Sequence, residues 1–504
     1  MRTFAACLWF GCCSLIGLPG VVQADSRGDE LARWLNERGQ EVFGPLPQPC
    51  DDLTFARRLY LDILGRVPSV SELRDFQSWG ENRRNRLIDQ LVFGEGARAD
   101  TYKRLSAQQF ARQWRRVLLP PGTTVVGSPE PLEAWLREAF ANQTAFDQIM
   151  QDLIRLETPV YYQQLGSLPE NYAAQVSRVA LGVRLECTQC HDHPFVDWKQ
   201  QDFWGIAAFY SDASRSVAAP NASQPAAEAG SIRYEGMEYP AKFLWSDAPL
   251  EKAEQAPRTR LAHWVTAADN PHFSAVAVNR FWQHLVGRGW FADVENFDLA
   301  TPDQRRVLDE FGQRFADSGF NIDRLTAAIC KSAWYQAESG SPEDVSQAET
   351  FVRTLKVNSP EQVFDSLEQS LLLPISRIDP TAPRWSGDRI QLVSRLSETT
   401  GATPEDYASG IPQALLLMNG KITSDAIDLQ RSRLLRAVLD SPFFNQRDRI
   451  ETLYLAVLTR RPTTEEQTAL AHYLESQDDD AARQRAYGEI LWALLNSPEF
   501  VLCR

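Results

Sequence analysis

Apolar residues recur at helical spacing along most of this chain, and this periodicity constrains the fold more than any other feature. Near the start, Phe55, Leu59 and Ile63 fall on one face of a helix. The same pattern predicts further helices at about 83–94, 100–118, 129–141, 145–155 and 170–185. It continues in the second half of the chain, with interruptions near 339–347 and 375–410. We therefore expect a mainly α-helical protein.

The segment 211–252 interrupts the helical pattern and divides the chain into two predicted domains. It is rich in Ala, Ser and Pro, and it carries two apolar tripeptides, at 232–234 and 243–245, that favour short strands. We predict a helical N-terminal domain, an irregular or β insert and a helical C-terminal domain, over 25–210, 211–252 and 253–504. The 504 residues are enough for two or three domains with sizeable cores.

One stretch of the N-terminal domain is echoed near the other end of the chain. The sequence LYLDILGRVPSVSE has a counterpart in LYLAVLTRRPTTEE. Each predicts a helix, a break at an Arg-x-Pro tripeptide, and a second helix that opens with a capping box, Ser69 with Glu72 and Thr463 with Glu466. Two explanations are open: a common helical hairpin that occurs twice, or duplication of one packing unit.

The charge balance argues against one class of partner. The 66 acidic residues outnumber the 52 basic ones and give a formal net charge of −14, without a dense block of Lys and Arg. Such a chain is poorly suited to a nucleic-acid backbone. The cluster of Arg112, Arg115 and Arg116 is too small to reverse this, and we expect it to form a solvated helix face.

The first 24 residues have the organisation of a signal peptide. Arg2 precedes an apolar stretch at 5–18, and the tripeptide 22–24 offers a cleavage site after Ala24. The alternative is a membrane anchor, but the apolar stretch is short for one and is followed by Pro19. We therefore expect cleavage near Ala24, a periplasmic or secreted location, and no transmembrane segment in the mature chain.

One motif carries recognisable chemistry. Cys187-Thr188-Gln189-Cys190-His191 has the C-x-x-C-H spacing of covalent haem c attachment. In such a site two thiols form thioethers with the haem vinyl groups, and the next imidazole becomes an axial ligand of the iron. Several aromatic residues follow closely, and haem requires apolar walls. The motif therefore predicts a haem c held by Cys187 and Cys190, with His191 as its axial ligand.

Three other interpretations of the motif stay open. Cys187 and Cys190 could form a structural or redox-active disulfide. The same two thiols could bind zinc or iron together with His193 and a remote ligand. The motif could also be a degenerate haem site that is retained for packing. We expect His191 and His193 on different sides of a helix, so they are not predicted to ligate both faces of one iron.

A second axial ligand would have to come from elsewhere, or the sixth coordination position would be open. The side chains that could supply it are Met237, His263, His272, His284 and Met418. The sequence does not choose among them. The three remaining cysteines of the mature chain, Cys50, Cys330 and Cys503, are expected to be buried, or to form one disulfide and leave one free thiol.

A further block, at 276–289, mixes polar and aromatic side chains on one predicted helix that ends near Gly287. Asn279 and Trp282 are helical neighbours, and so are Arg280 and His284. Such a face could line a pocket. The favoured explanation is that its Arg and His side chains satisfy buried carbonyl groups.

Several sequence blocks along the chain carry a family resemblance. In the first half these are RRLYLDILGRVP at 57–68, FARQW at 110–114 and LGVRLECTQCHDHPF at 181–195. In the second half they are LAHW at 261–264, NPHF at 270–273, VAVNRFWQHLVGRG at 276–289 and PQALLLMN at 412–419. With these blocks the chain resembles the secreted planctomycete cytochrome-like proteins that pair a PSCyt-like and a PSD-like domain of unknown function. The resemblance implies an exported protein with at most one haem and no settled activity.

Electron transfer by an exported c-type haem protein, with a redox or envelope protein as partner, is the leading functional hypothesis. The first alternative is a non-haem binding or scaffold protein in which the C-x-x-C-H region is a disulfide or metal staple. The second is a secreted hydrolase with a pocket near His284 and Arg288. No Gly-rich phosphate loop, nucleophile elbow or zinc-protease motif occurs in the sequence, and no catalytic residue is predicted.

Overall fold

Helices make up most of the described chain, as predicted, and the strands are short. The computed structural model describes residues 27–120, 126–212, 230–246, 248–251, 254–291, 293–340, 351–373, 387–398 and 420–503. The predicted signal peptide at 1–24 and Met418 lie outside these residues. Within the described ranges, no helix combines the length and the apolarity needed to cross a membrane.

The chain up to residue 212 forms helices joined by short connections. They are α1 Asp29–Phe43, α2 Asp52–Leu64, α3 Val70–Ser78, α4 Arg83–Phe93, α5 Ala99–Leu118, α6 Glu130–Ala141, α7 Phe146–Arg155, α8 Pro159–Gln164, α9 Pro169–Leu181 and α10 Gln200–Ala207, with 3-10 turns at Glu186–Gln189 and Ala208–Tyr210. Four of the five numbered helix predictions agree with α4, α5, α6 and α7 to within one residue. The fifth, 170–185, is too long at its C-terminal end.

Gly182 ends α9 because it adopts a left-handed conformation, with φ of 67°. A Cβ atom at this position would lie 2.6 Å from Phe297 and 2.7 Å from Val276, so only glycine fits the close approach. The chain turns there and leads into the C-x-x-C-H motif.

The insert contributes one β-hairpin, in which β1 Ser231–Tyr234 pairs antiparallel with β2 Met237–Pro240. The strand predicted at 243–245 is wrong. Leu244 and Trp245 form a turn, and Trp245 has a φ of 59°, which is incompatible with extended backbone.

Helices resume after the insert. They are α11 Pro257–Val265, α12 Pro271–Val286, α13 Pro302–Asp317, α14 Ile322–Lys331, α15 Ala333–Gln336, α16 Pro360–Ser370, α17 Gly387–Glu398, α18 Lys421–Ile427, α19 Arg433–Leu439, α20 Gln446–Leu458, α21 Thr464–Glu475, α22 Asp480–Leu495 and α23 Pro498–Val501, with a 3-10 turn at Phe297–Leu299. Two small strand pairs accompany them: β3 Ser339–Gly340 is parallel to β4 Arg353–Thr354, and β5 Lys356–Val357 is antiparallel to β6 Leu502–Cys503.

Buried apolar side chains form two large clusters. The first runs from Leu31 to Phe351 and includes Leu455, and the second runs from Val363 to Val501. The first cluster therefore contains helices from both sides of the 211–252 insert. The two cores divide between Phe351 and Val363. The domain boundaries that the sequence suggested stay a prediction.

The two echoed sequences adopt the same local structure. Both predicted capping boxes are present. Arg66 donates to both carboxylate oxygens of Glu72, at 2.8 and 3.0 Å, and Arg460 donates to those of Glu466, at 2.8 and 2.7 Å. Each guanidinium also lies over the tyrosine of its own Leu-Tyr-Leu tripeptide, at 5.5 and 5.2 Å from the ring centre. The likeness therefore extends beyond helix boundaries to matched side-chain contacts.

A buried ionic cluster, which we call the Asp62 cluster, joins distant parts of the chain. The Asp62 carboxylate on α2 accepts hydrogen bonds from Arg353 at 3.1 Å, from Tyr335 at 3.0 Å and from Lys356. The Cys503 sulfur lies 3.9 Å from the same carboxylate. Burial opposes ionisation, but Lys356 and Arg353 outweigh it and lower the pKa of Asp62. The folded protein therefore contains the ionised form of Asp62.

The arginines of α5 form a second ionic network, and the expectation of a solvated face there is wrong. Arg112 donates to Asp365 at 2.6 Å, and Arg115 and Arg116 both contact Glu361. Asp365 and Glu361 lie on α16, which belongs to the second core. These side chains are partly buried because they fill the junction between the two cores.

We predict that Asp62→Asn lowers the free energy of unfolding by about 3–5 kcal/mol, because it leaves Arg353 and Lys356 buried without a counter-charge. Urea denaturation followed by circular dichroism measures this. The control is Asp480→Asn, which removes a pair with Arg483 in which the aspartate is 90% exposed and which is worth about 1 kcal/mol or less. Equal losses in the two variants would contradict a structural role for the Asp62 cluster.

We predict that acid weakens the junction between the cores. Burial opposes ionisation, yet the α5 arginines lower the pKa of Glu361 from 4.5 to about 2, and Arg112 and Arg389 lower that of Asp365 from 3.8 to about 2. Because both pKa values fall on folding, this stabilisation is complete above the unfolded pKa values and is lost as pH falls from about 5 to about 2. Unfolding titrations across this range should show a loss on the order of 5 kcal/mol from the two carboxylates, and a flatter pH dependence in Glu361→Gln. A variant with the wild-type slope would refute the assignment.

Candidate functional site

The C-x-x-C-H motif lies on the surface, on a short 3-10 turn between α9 and α10. Thr188 is buried, and its hydroxyl donates to the Leu185 carbonyl at 2.7 Å. Cys187 and Cys190 are exposed on either side of it, and both thiols are free. The turn therefore anchors Thr188, one of the two residues between the cysteines, and leaves both cysteines exposed.

Two side chains of α10 donate hydrogen bonds to the backbone of the motif. The Gln200 amide donates to the Cys190 carbonyl at 3.0 Å and to the Gln189 carbonyl at 3.2 Å. The Trp204 indole donates to the Gln189 carbonyl at 3.0 Å. Both donors come from a regular helix, so the backbone of the motif is fixed although it is irregular.

The hairpin of the insert packs against the motif. Tyr234 stacks on Trp204, with ring centres 4.2 Å apart. Desolvation, Glu235 and a hydrogen bond with the Cys190 thiol raise the pKa of Tyr234. On the other strand, the Tyr239 hydroxyl donates to Gln200 at 3.0 Å and lies 3.9 Å from the Met237 sulfur. Sequence reasoning missed these tyrosines, because nothing in the spacing of the insert says where it packs.

The two histidines of the motif region differ in tautomer, and the expectation that a helix carries them is wrong. Residues 191–198 contain no helix. The Nδ1 atom of His191 lies 2.8 Å from the Asp192 carbonyl oxygen, which can only accept, so Nδ1 carries the proton and Nε2 keeps its lone pair. The Nδ1 atom of His193 accepts from the backbone amides of Phe195 and Val196, each at 3.2 Å, so its Nε2 is protonated. His191 is therefore the one prepared to ligate a metal through Nε2.

Comparison with known proteins gives two family matches. Residues 32–164 and 157–215 match PSCyt2, a family of unknown function (DUF1549), and residues 257–368 match PSD1, also of unknown function (DUF1553). The chain therefore carries, in this order, a region that matches PSCyt2 and a region that matches PSD1. No curated protein and no solved structure matches it significantly. The C-x-x-C-H motif falls within the PSCyt2 region, and the hairpin lies between the two matched regions.

The PSD1 region supports the PSCyt2 helix that precedes the motif. Arg280 donates to the carbonyls of Arg178 and Val179, at 3.0 and 3.3 Å. Glu295 pairs with Arg178 at 3.0 Å and with Arg184 at 3.2 Å. The PSD1 region thereby fixes the direction in which α9 delivers the chain to the motif.

Other side chains of the block at 276–289, which the sequence suggested as a possible pocket lining, also contact groups inside the protein. Asn279 accepts from the Trp290 amide at 2.9 Å. The His284 ring lies 3.4 Å from the Asp62 carbonyl, and the Arg288 guanidinium lies 4.4 Å from the centre of the Phe351 ring. The explanation that this block satisfies internal groups agrees with these contacts.

The structure separates the proposed second axial ligands. Met237 lies on the hairpin that packs against the motif, whereas His263 is exposed on α11. Burial and Arg305 lower the pKa of His272 to about 4, beneath the Trp245 ring. Burial and Lys356 lower the pKa of His284 to about 3, beside the Asp62 cluster. Among the candidates within the described residues, Met237 is therefore the one that contacts Tyr239, which in turn donates to Gln200 of the motif's support.

The structure also bears on the alternative of a zinc or iron site. Within the residues that the structure describes, no group of three or more His, Cys, Asp or Glu side chains converges as a metal site. Cys50, Cys330 and Cys503 are buried and free, as the first of the two cysteine expectations states. Burial raises the pKa of the Cys50 and Cys330 thiols.

We predict that reduced, haem-free protein produced from residue 25 onward exposes two fast-reacting thiols. Cys187 and Cys190 should react with Ellman's reagent within seconds, and the three buried thiols should react only after addition of denaturant. The double variant Cys187→Ala/Cys190→Ala should lose the fast phase alone. A fast phase that persists in this variant would show that the motif is not the exposed dithiol.

Proposed function

We propose that this PSCyt2–PSD1 protein is an exported haem c protein that works in electron transfer. Cys187 and Cys190 would attach the haem, and His191 would be its axial ligand. A periplasmic or secreted location and a planctomycete-type bacterial source belong to the same proposal. The observation that carries it is the combination of two free outward thiols with an imidazole whose Nε2 is available.

The thiols suit covalent attachment because they are free, exposed and separated by an anchored residue. Thioether formation requires that each sulfur reach a vinyl group without first breaking a disulfide or a metal bond. Thr188 keeps the turn in place while both sulfurs stay accessible. The hydrogen bonds from Gln200 and Trp204 hold the backbone carbonyls of Gln189 and Cys190.

The imidazole suits axial ligation for a separate reason. The Asp192 carbonyl accepts a hydrogen bond from Nδ1, and this orients the ring and leaves Nε2 as the nitrogen that can ligate. His193 has the opposite arrangement, because two backbone amides occupy its Nδ1. This difference favours the haem interpretation over a zinc or iron site that uses His193.

Two aromatic residues near the motif offer accessible apolar surface. Phe195 is 90% exposed four residues after His191, and the partly buried Tyr234 lies beside Cys190, stacked on the buried Trp204 ring. A bound haem iron would supply a one-electron redox couple, tuned by axial ligation, burial and solvent exposure. Because the motif faces solvent, a haem there would have an accessible edge for a protein partner. Met237 on the adjacent hairpin is the second ligand that we favour.

The test is expression with its native export sequence in a bacterial host that has c-type haem maturation machinery. We expect haem-stained protein after denaturing electrophoresis and a c-type pyridine haemochrome spectrum. Both should be absent in Cys187→Ala/Cys190→Ala and unchanged in the control Cys50→Ala. His191→Ala should keep some covalent haem but lose the low-spin spectrum, and Met237→Leu should alter the spectrum without removing haem. Folded, exported wild-type protein without haem would overturn the proposal.

A further inference from the structure

A second surface, centred on Trp245, displays three tryptophans in contact. The ring centres of Trp198 and Trp245 are 5.8 Å apart, and those of Trp245 and Trp264 are 6.1 Å apart. Trp198 and Trp264 are partly buried, whereas Trp245 is 50% exposed. Trp245 is therefore the member of the group whose ring is most available to a ligand.

Trp245 is held in an unfavourable backbone conformation. Its φ of 59° is rare for a bulky residue and costs on the order of 1–3 kcal/mol. Core packing does not explain the cost, because half of the side chain remains in solvent. The surrounding structure therefore maintains a strained turn whose result is an outward indole.

His272 determines which face of Trp245 is available. The two rings are stacked, with centres 3.8 Å apart and planes at 15°. The imidazole covers one face of the indole, so the exposed area lies on the opposite face and at the ring edge. Burial and Arg305 keep the pKa of His272 at about 4, so the imidazole beneath the indole is neutral at neutral pH.

An acidic group lies beside this flat surface. The Trp198 ring stands at 68° beside Trp245, and its indole donates to the exposed Asp298 carboxylate at 3.3 Å. The neighbouring Asp197 carboxylate pairs with Lys199 at 3.0 Å. The surface thus combines one apolar platform with one exposed carboxylate at its side.

We propose that the exposed face of Trp245 binds a pyranose ring of a neutral β-linked oligosaccharide. The C–H groups on one side of such a sugar pack against an electron-rich aromatic face, while its equatorial hydroxyls point outward to polar groups. This site goes beyond the haem proposal and does not depend on it.

Other occupants fit less well. The exposed Asp298 carboxylate and the net charge of −14 disfavour anionic lipids and nucleic acid. A protein partner would need about 800 Å² on each side, whereas one half-exposed indole is matched to a single ring. The closest competitor is therefore a neutral lipid surface, which the experiment includes.

The experiment uses haem-free Cys187→Ala/Cys190→Ala protein, so that loss of haem cannot affect the result. Cellohexaose binding is measured by isothermal titration calorimetry and by tryptophan fluorescence. We expect binding with a blue shift of the emission, and at least about tenfold weaker binding in Trp245→Ala. Phe443→Ala, which removes a distant aromatic ring that is 88% exposed, should bind as the parent does.

Trp245→Phe keeps an aromatic face and should bind with intermediate affinity, which guards against a folding defect in the alanine variant. Circular dichroism and thermal unfolding should be alike in all variants. Absence of cellohexaose binding by the folded parent, or binding that survives Trp245→Ala, would overturn the proposal. Trp245-dependent sedimentation with phosphatidylcholine vesicles, without sugar binding, would assign the surface to lipid instead.

Discussion

The Asp62 carboxylate is the interaction on which the architecture depends most. It is buried on α2 and is neutralised by Arg353 and Lys356, which lie nearly 300 residues later, at separations of 291 and 294 positions. Tyr335 completes the hydrogen bonding, and the Leu285 carbonyl accepts from Arg353 at 2.7 Å. A buried charge is costly unless it is paired, so these segments have one low-energy arrangement relative to α2. Specificity of assembly, more than added stability, is what such a pair provides.

The same coupling between distant segments reaches the cysteine motif. Arg280 and Glu295 of the PSD1 region hold α9 through its last turn, and Phe297 and Val276 leave room for Gly182 alone where that helix ends. The PSD1 region therefore acts on the motif through the position of α9. The region that matches PSCyt2 presents the thiols, and the PSD1 region supports the helix that leads to them.

The sequence was sufficient where local rules decide the structure. Helix periodicity and capping boxes predicted most helix positions, and the cysteine spacing located the motif. It was insufficient where partners come from afar. Arg112 was expected in solvent because its partner Asp365 lies 253 residues away, and the strand expected at 243–245 failed because tertiary contacts hold Trp245 in a turn. Likewise, the tautomers of His191 and His193 depend on backbone positions that spacing alone does not specify.

The long separation between Asp62 and Cys503 also affects how the protein is made. These residues are 441 positions apart, and Arg57 contacts the Phe500 carbonyl across 443 positions. During synthesis α2 emerges early, yet the groups that satisfy its charged side chains are not yet translated. The nascent chain must therefore carry an incomplete core until β6 is available, and loop closure over this distance is slow. Delayed completion of this kind keeps a polypeptide open to chaperones, and to passage through a narrow channel, for most of its synthesis.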